Sequence, residues 1–235
     1  MTRPTIVFDL DGTLIDTAPD LIEAINHTLA GEGLAAADAD WLRPYVGHGG
    51  RAMIERCYAV QKRVLKDGDM ARLLEVFIAR YGDTMPGLSR PYPGVLDAID
   101  RFASAGWRVA ICTNKLEELA LRLIASLELS DRFQAICGAD TFAFRKPDPR
   151  HLTETILRAG GNAGLGLMVG DSRTDIDTAK AAGLPVAAVD FGYTDRHVRE
   201  FEPSLVISHF DELTVEAGER LVAASQGTRG VRERS

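Results

Sequence analysis

The sequence predicts a doubly wound, mainly parallel, Rossmann-like α/β sheet, broken after its first strand by an inserted helical subdomain. Short apolar runs alternate with helical patterns along most of the chain, as successive βαβ units require. The alternation stops between about Thr17 and Leu88, where only helix-like stretches occur. That span is too long for a structureless loop inside a compact domain. At 235 residues, 46% hydrophobic and 26% charged, the chain is long enough for a core and a smaller insert.

Taken in order, Thr5–Phe8 (TIVF) reads as the first buried strand, rich in β-branched and aromatic residues. The insert follows, with helical stretches at Asp20–Ala30, Arg51–Val64 and Met70–Tyr81. Helix Gly94–Ser104 then leads to strand Arg108–Cys112, and helix Leu116–Leu127 to strand Ala135–Cys137. Helix Arg150–Ala159 precedes strand Gly166–Val169, helix Thr174–Ala182 precedes Val186–Val189, and Leu205–Ile207 is the last strand. Gly106, Gly183 and Gly192 punctuate the exits. The domain boundaries expected are 1–15 and 90–222 for the α/β core and 16–89 for the helical insert. Residues 223–235 are polar, glycine-containing and aperiodic, and read as a frayed tail.

A net charge of −7 argues against a protein that coats nucleic acid or an anionic membrane surface, and leaves a small anionic substrate open. Asp9 and Asp11 interrupt the first apolar run, no run has the layout of a signal peptide, and none has membrane-spanning length. A cytoplasmic protein, monomeric or homodimeric, is the expectation. Cys57, Cys112 and Cys137 lack CxxC spacing and read as buried free thiols. His27, His48, His151, His197 and His209 lack metal-ligand spacing.

The chemistry concentrates where strands end. In an open α/β sheet, ligands bind beyond the carboxyl ends of the strands. Those ends carry Asp9 and Asp11; Thr113, Asn114 and Lys115; and Asp171 with Asp175, while Lys146 lies in the segment after the third strand. Crowded carboxylate oxygens suit a hard cation such as Mg²⁺, which uses few protein carboxylates plus water and substrate phosphate. Asp9, Asp171 and the backbone carbonyl of Asp11 are the expected metal ligands. Lys146 is expected to face a phosphoryl oxygen, with Thr113 and Asn114 as neutral substrate-binding donors. Gly12 lets the chain turn away without a side chain in the path of the phosphate. Asp175, four residues after Asp171, can face back toward the site from a helix beginning near Ser172; a surface ion-pair role fits the sequence equally.

Four segments in this order, DLDGT, the TN after a strand, KPDP and GDSRTD, resemble the motifs of the haloacid dehalogenase superfamily of phosphatases. The resemblance spans the α/β portion and implies that the helical insert is a cap. It implies Asp9 as a nucleophile forming an aspartyl-phosphate, and Asp11 as general acid to the leaving oxygen and then general base to water. Asp9, Asp11 and Lys146 are thus the catalytic set it implies. Thr17–Leu21 (TAPDL), Tyr45–Gly50 (YVGHGG) and Asp190–Tyr193 (DFGY) look like segments of the phosphoglycolate phosphatase-like branch. 2-Phosphoglycolate is therefore the expected substrate, with His48 or Arg51 as candidates for its non-phosphate end. Another small phosphate (a sugar phosphate, pyrophosphate or nucleotide), or a phosphomutase reaction, would use the same core. A phosphoryl-accepting signalling or binding module would need neither so large a cap nor a neighbour such as Asp11.

Overall fold

The computed structural model describes residues 3–232. Among these residues, eight strands and nine α-helices follow one another in this order. Strands β1 (Thr5–Phe8) and β2 (Ile15–Asp16) lead into helices α1 (Ala18–Gly31), α2 (Ala39–Leu42), α3 (Gly49–Val60) and α4 (Asp69–Thr84). After β3 (Arg90–Pro91) the alternation begins with α5 (Val95–Ser104), β4 (Arg108–Cys112), α6 (Glu117–Ser126) and β5 (Ala135–Cys137). It continues with α7 (Pro149–Arg158), β6 (Gly166–Gly170), α8 (Arg173–Ala181), β7 (Val186–Val189), β8 (Leu205–Ile207) and α9 (Val215–Arg232).

Six strands pair in the order β5-β4-β1-β6-β7-β8, every pairing parallel. Successive side chains of a strand point to opposite faces, and β1 shows both. Ile6 and Phe8 join a core with Val95, Ile99 and Phe102 of α5 and Leu123 of α6. Val7 joins the opposite core with Leu152 and Ile156 of α7 and Ile176 of α8. Both faces are covered, which is why the strands read as continuous apolar runs rather than alternating ones.

Helices α1 to α4 enclose a third core that includes Leu29, Leu42, Ile54, Phe77 and Tyr81. Leu119 of α6 and Tyr193 from the α/β portion also belong to it, so the helical unit packs onto the sheet's carboxyl edge. Strands β2 and β3 form a separate antiparallel pair, Ile15 opposite Pro91 and Asp16 opposite Arg90. The chain enters and leaves the helical unit side by side. Two-residue strands carry no periodicity, so the sequence does not reveal them.

Asp20, in the first turn of α1, accepts hydrogen bonds from the backbone N–H groups of Leu88 (2.8 Å) and Ser89 (2.6 Å) and from the Ser89 hydroxyl. It binds the return linker to the outgoing one. The three cysteines are buried and free. The expected tail at 223–235 differs: α9 runs on to Arg232, and only residues 233–235 lie outside the described residues. Val222 is anchored in the first core, and the following Ala223–Ala224 favour helix continuation, with no proline to stop it. Among the described residues, no helix is long and apolar enough to cross a membrane.

Candidate active site

Because β1 lies between β4 and β6, the three segments leaving those strands emerge side by side. Asp9 and Asp11 follow β1, Thr113 to Lys115 follow β4, and Asp171 follows β6. The turn after β1 is held by the Leu14 and Ile15 N–H groups, both donating to the Leu10 carbonyl at 3.0 Å. Gly12 sits there at φ 83°, and a Cβ on it would lie 2.4 Å from Asp171 Oδ2. Both the backbone conformation and the close approach require glycine. Gly192 meets the other side of Asp171, where a Cβ would fall 2.2 Å from the Asp171 Cβ.

The acidic centre is compact. Carboxylate oxygens of Asp9, Asp171 and Asp175 lie within 4.8 Å of one another. Lys146, with 1% of its side chain exposed, places Nζ 2.9 Å from Asp9 Oδ1 and 2.6 Å from Asp175 Oδ1. Asp9 Oδ1 also accepts the Leu10 N–H at 2.7 Å. Both contacts fall on Oδ1, which leaves Oδ2 for an electrophile or a cation. Asp171 accepts from the Thr13 hydroxyl (3.0 Å) and the Tyr193 N–H (2.6 Å).

Asp175 is fixed from two sides. Ser172 caps α8, accepting the Asp175 N–H, while Asp175 Oδ2 takes the Ser172 N–H (3.1 Å) and hydroxyl (2.5 Å). Its other oxygen holds Lys146. The alternative of a surface residue is thereby excluded: Asp175 is fully buried and aims the lysine at Asp9. His151 Nδ1 accepts the Lys146 N–H at 3.1 Å, and burial lowers the imidazole pKa to about 4, so it stays neutral in that role.

Charge is out of balance at this centre. Burial, then Asp175, push the Asp9 carboxyl up to about 7 despite Lys146. Burial, then Asp175 and Asp9, raise Asp171 well above the carboxylate range. Burial opposes the charge on Lys146, but Asp175 and Asp9 outweigh it and hold the ammonium protonated. Three carboxylates against one ammonium, all oxygen donors and mutually close, fit a hard divalent cation.

Lys115 is the residue that sequence reading leaves without a role. Its Nζ lies 2.9 Å from both Asp11 carboxylate oxygens, and its side chain is 5% exposed. The Thr17 hydroxyl donates to Asp11 Oδ1 at 2.7 Å. From sequence, a lysine just past a strand is ordinarily solvated; only its position beside the TN pair hints otherwise. Thr113 is buried and accepts the Lys115 N–H at 3.2 Å. Asn114 Nδ2 donates to the Lys146 carbonyl at 3.0 Å, so that amide holds the lysine's loop. His48 and Arg51 are exposed on the helical unit, Arg51 lying 3.9 Å from Glu55, and neither hydrogen-bonds to the acidic centre. The turn bearing them reaches the site's edge, since a Cβ on Gly47 would stand 3.2 Å from the Tyr193 carbonyl.

Comparison with known proteins agrees with this geometry. The family model described as haloacid dehalogenase-like hydrolase matches residues 6–189. A phosphoglycolate phosphatase of Mesorhizobium japonicum is 66% identical over 225 residues, covering 96% of this chain and 99% of that protein. Another, of Agrobacterium fabrum, is 48% identical, with 94% of each chain covered. The crystal structure of a predicted phosphoglycolate phosphatase from Haemophilus somnus superposes with a TM-score of 0.83 at 25% identity, covering 91% of this chain and 97% of that one.

Proposed function

The chain belongs to the haloacid dehalogenase-like hydrolase family, and on that premise we propose that it is a Mg²⁺-dependent phosphatase of 2-phosphoglycolate acting through an aspartyl-phosphate on Asp9. The observation that carries this reading is Asp9 itself, half-buried among Lys146, Asp171 and Asp175 with one carboxylate oxygen uncommitted. The relatives named phosphoglycolate phosphatase, matched over nearly the whole chain, support the choice of substrate.

Asp9 and Asp171, with the Asp11 carbonyl, would hold the metal, which when bound offsets the negative charge of carboxylates and phosphoryl oxygens. Asp9 attacks phosphorus, and the bond from phosphorus to the ester oxygen breaks as Asp11 gives that oxygen a proton. Water then attacks the phosphoryl group while Asp11 takes its proton, and the bond to Asp9 breaks to release phosphate. Lys146, kept charged and aimed by Asp175, offsets charge on the phosphoryl oxygens in both steps. Thr113 faces the same phosphoryl group. The helical unit over the sheet edge limits bulk water and the size of the leaving group.

The test is the specificity constant for phosphoglycolate against hexose phosphates, pyrophosphate, nucleotides and a phosphoprotein, each with Mg²⁺. Phosphoglycolate is expected to lead. A nucleotide or a phosphoprotein in first place would refute the substrate and leave the Asp9 chemistry standing.

A further inference from the structure

We propose that Lys115 of the α/β portion and Tyr81 of the helical unit together form the subsite for the substrate's carboxylate, so that the enzyme selects short phosphate esters with a carboxylate beside the ester oxygen. The inference rests on the phosphatase reading above and adds the residues that choose among its substrates.

Lys115 lies one hydrogen bond from Asp11, the group placed at the leaving oxygen. An ester oxygen held by Asp11 therefore stands close to Nζ, and in phosphoglycolate the carboxylate carbon is only two bonds from that oxygen. An ammonium has three N–H donors, and two of those on Lys115 meet Asp11 Oδ1 and Oδ2. The ammonium also lies over the ring of Tyr81, 4.4 Å from its centroid. Tyr81 is 1% exposed, and its buried hydroxyl, which faces the Lys115 ammonium, has no acceptor for its own proton, a costly arrangement for a polar group. Burial pushes that phenol up to about 12, so it remains a proton donor at neutral pH. A buried cation beside a buried O–H that lacks an acceptor suits a carboxylate, which accepts from both. A hydroxymethyl group in the same place leaves the ammonium without a second anion. The two donors come from opposite sides of the boundary between sheet and helical unit, so one small anion bridges both. His48 and Arg51, exposed on the helical unit, do not supply this contact.

The experiment compares kcat/KM for 2-phosphoglycolate with that for 2-hydroxyethyl phosphate, which keeps the ester and replaces carboxylate by hydroxymethyl. Wild-type enzyme is expected to prefer phosphoglycolate. Lys115→Met slows both esters through Asp11, but the preference itself should fall about tenfold or more, and Lys115→Arg should recover part of it. Tyr81→Phe, which leaves the Asp11–Lys115 pair intact, should reduce the preference about fivefold, mostly through KM. An unchanged preference in folded Lys115→Met, or in Tyr81→Phe if the former does not fold, overturns the subsite and leaves phosphoglycolate hydrolysis standing. A wild-type enzyme that hydrolyses both esters equally overturns the subsite and the assigned substrate together, while the phosphatase chemistry survives.

Discussion

The Tyr193 hydroxyl donates to Asp16 Oδ1 at 2.5 Å, joining the loop after β7 to the linker that enters the helical unit, 177 residues away in sequence. The Tyr193 hydroxyl oxygen accepts the Ala18 N–H at 2.8 Å, and Asp16 Oδ2 is paired with Arg43 at 2.8 Å. At its other end, the Tyr193 N–H holds Asp171. One residue thus fixes a carboxylate of the acidic centre by its backbone and the linker entering the helical unit by its side chain.

Tyr193→Phe separates the two jobs. The backbone donor to Asp171 remains, while Ala18 N–H and Asp16 lose a partner. Stability in urea should fall by about 1–2 kcal/mol, and the Mg²⁺ concentration giving half-maximal activity should stay the same. A large shift in that concentration would show that the hydroxyl also matters to Asp171.

Lys146→Met leaves the buried Asp175 and the half-buried Asp9 without their cation. Removing one partner of a buried pair typically costs about 3–5 kcal/mol, and urea unfolding at pH 7 should show a loss of that order. The loss should be smaller at pH 5, where the carboxyls can take up protons in the folded state. Phosphatase activity should disappear at either pH.

The metal-free protein should lose stability between about pH 4 and pH 7. Burial and the neighbouring Asp175 raise the Asp9 carboxyl from its ordinary 3.8 to about 7 on folding, so over that window the folded state binds more protons than the unfolded one. Stability then falls as pH rises, by at most about 1.4 kcal/mol per unit from this group, and levels off above the folded pKa. Chemical denaturation in chelator across the window checks the sign. Added Mg²⁺ should flatten the slope.

Mg²⁺ itself should stabilise the fold, since it binds the carboxylates only where folding gathers them. At a hundred times its Kd the gain is about 2.7 kcal/mol, readable as a rise in Tm. Asp171→Asn should reduce both this rise and activity. Chelator should stop turnover by the wild type.

Asp9→Asn should abolish phosphate release and the covalent labelling of the protein by phosphate, because an amide is a poor nucleophile. The folded metal-free variant should be no less stable than wild type at pH 7, since a buried charge is removed from a crowded acidic centre.

The six strands of the main sheet and their alternation with helices are legible in the sequence. TIVF, RVAIC and VAAV form strands at the residues their apolar runs mark, because strand formation here depends on local side-chain type and on burial of both faces. The helical insert was equally legible as a long absence of strands. Asp9, Asp11, Lys146 and Asp171 stood out because each ends an apolar run or sits in a recognisable motif. Other features took form only through tertiary structure. The pairing of β2 with β3, the grip of Asp175 on Lys146, the contact of Lys115 with Asp11 and Tyr81, and the span of Tyr193 from Asp171 to Asp16 all join segments distant in sequence. The strand order β4-β1-β6 and the seating of the helical unit bring those side chains together. A lysine or tyrosine reads the same in sequence whether solvated or buried; its role depends on which charges the fold places within a few ångströms, where low dielectric makes them count.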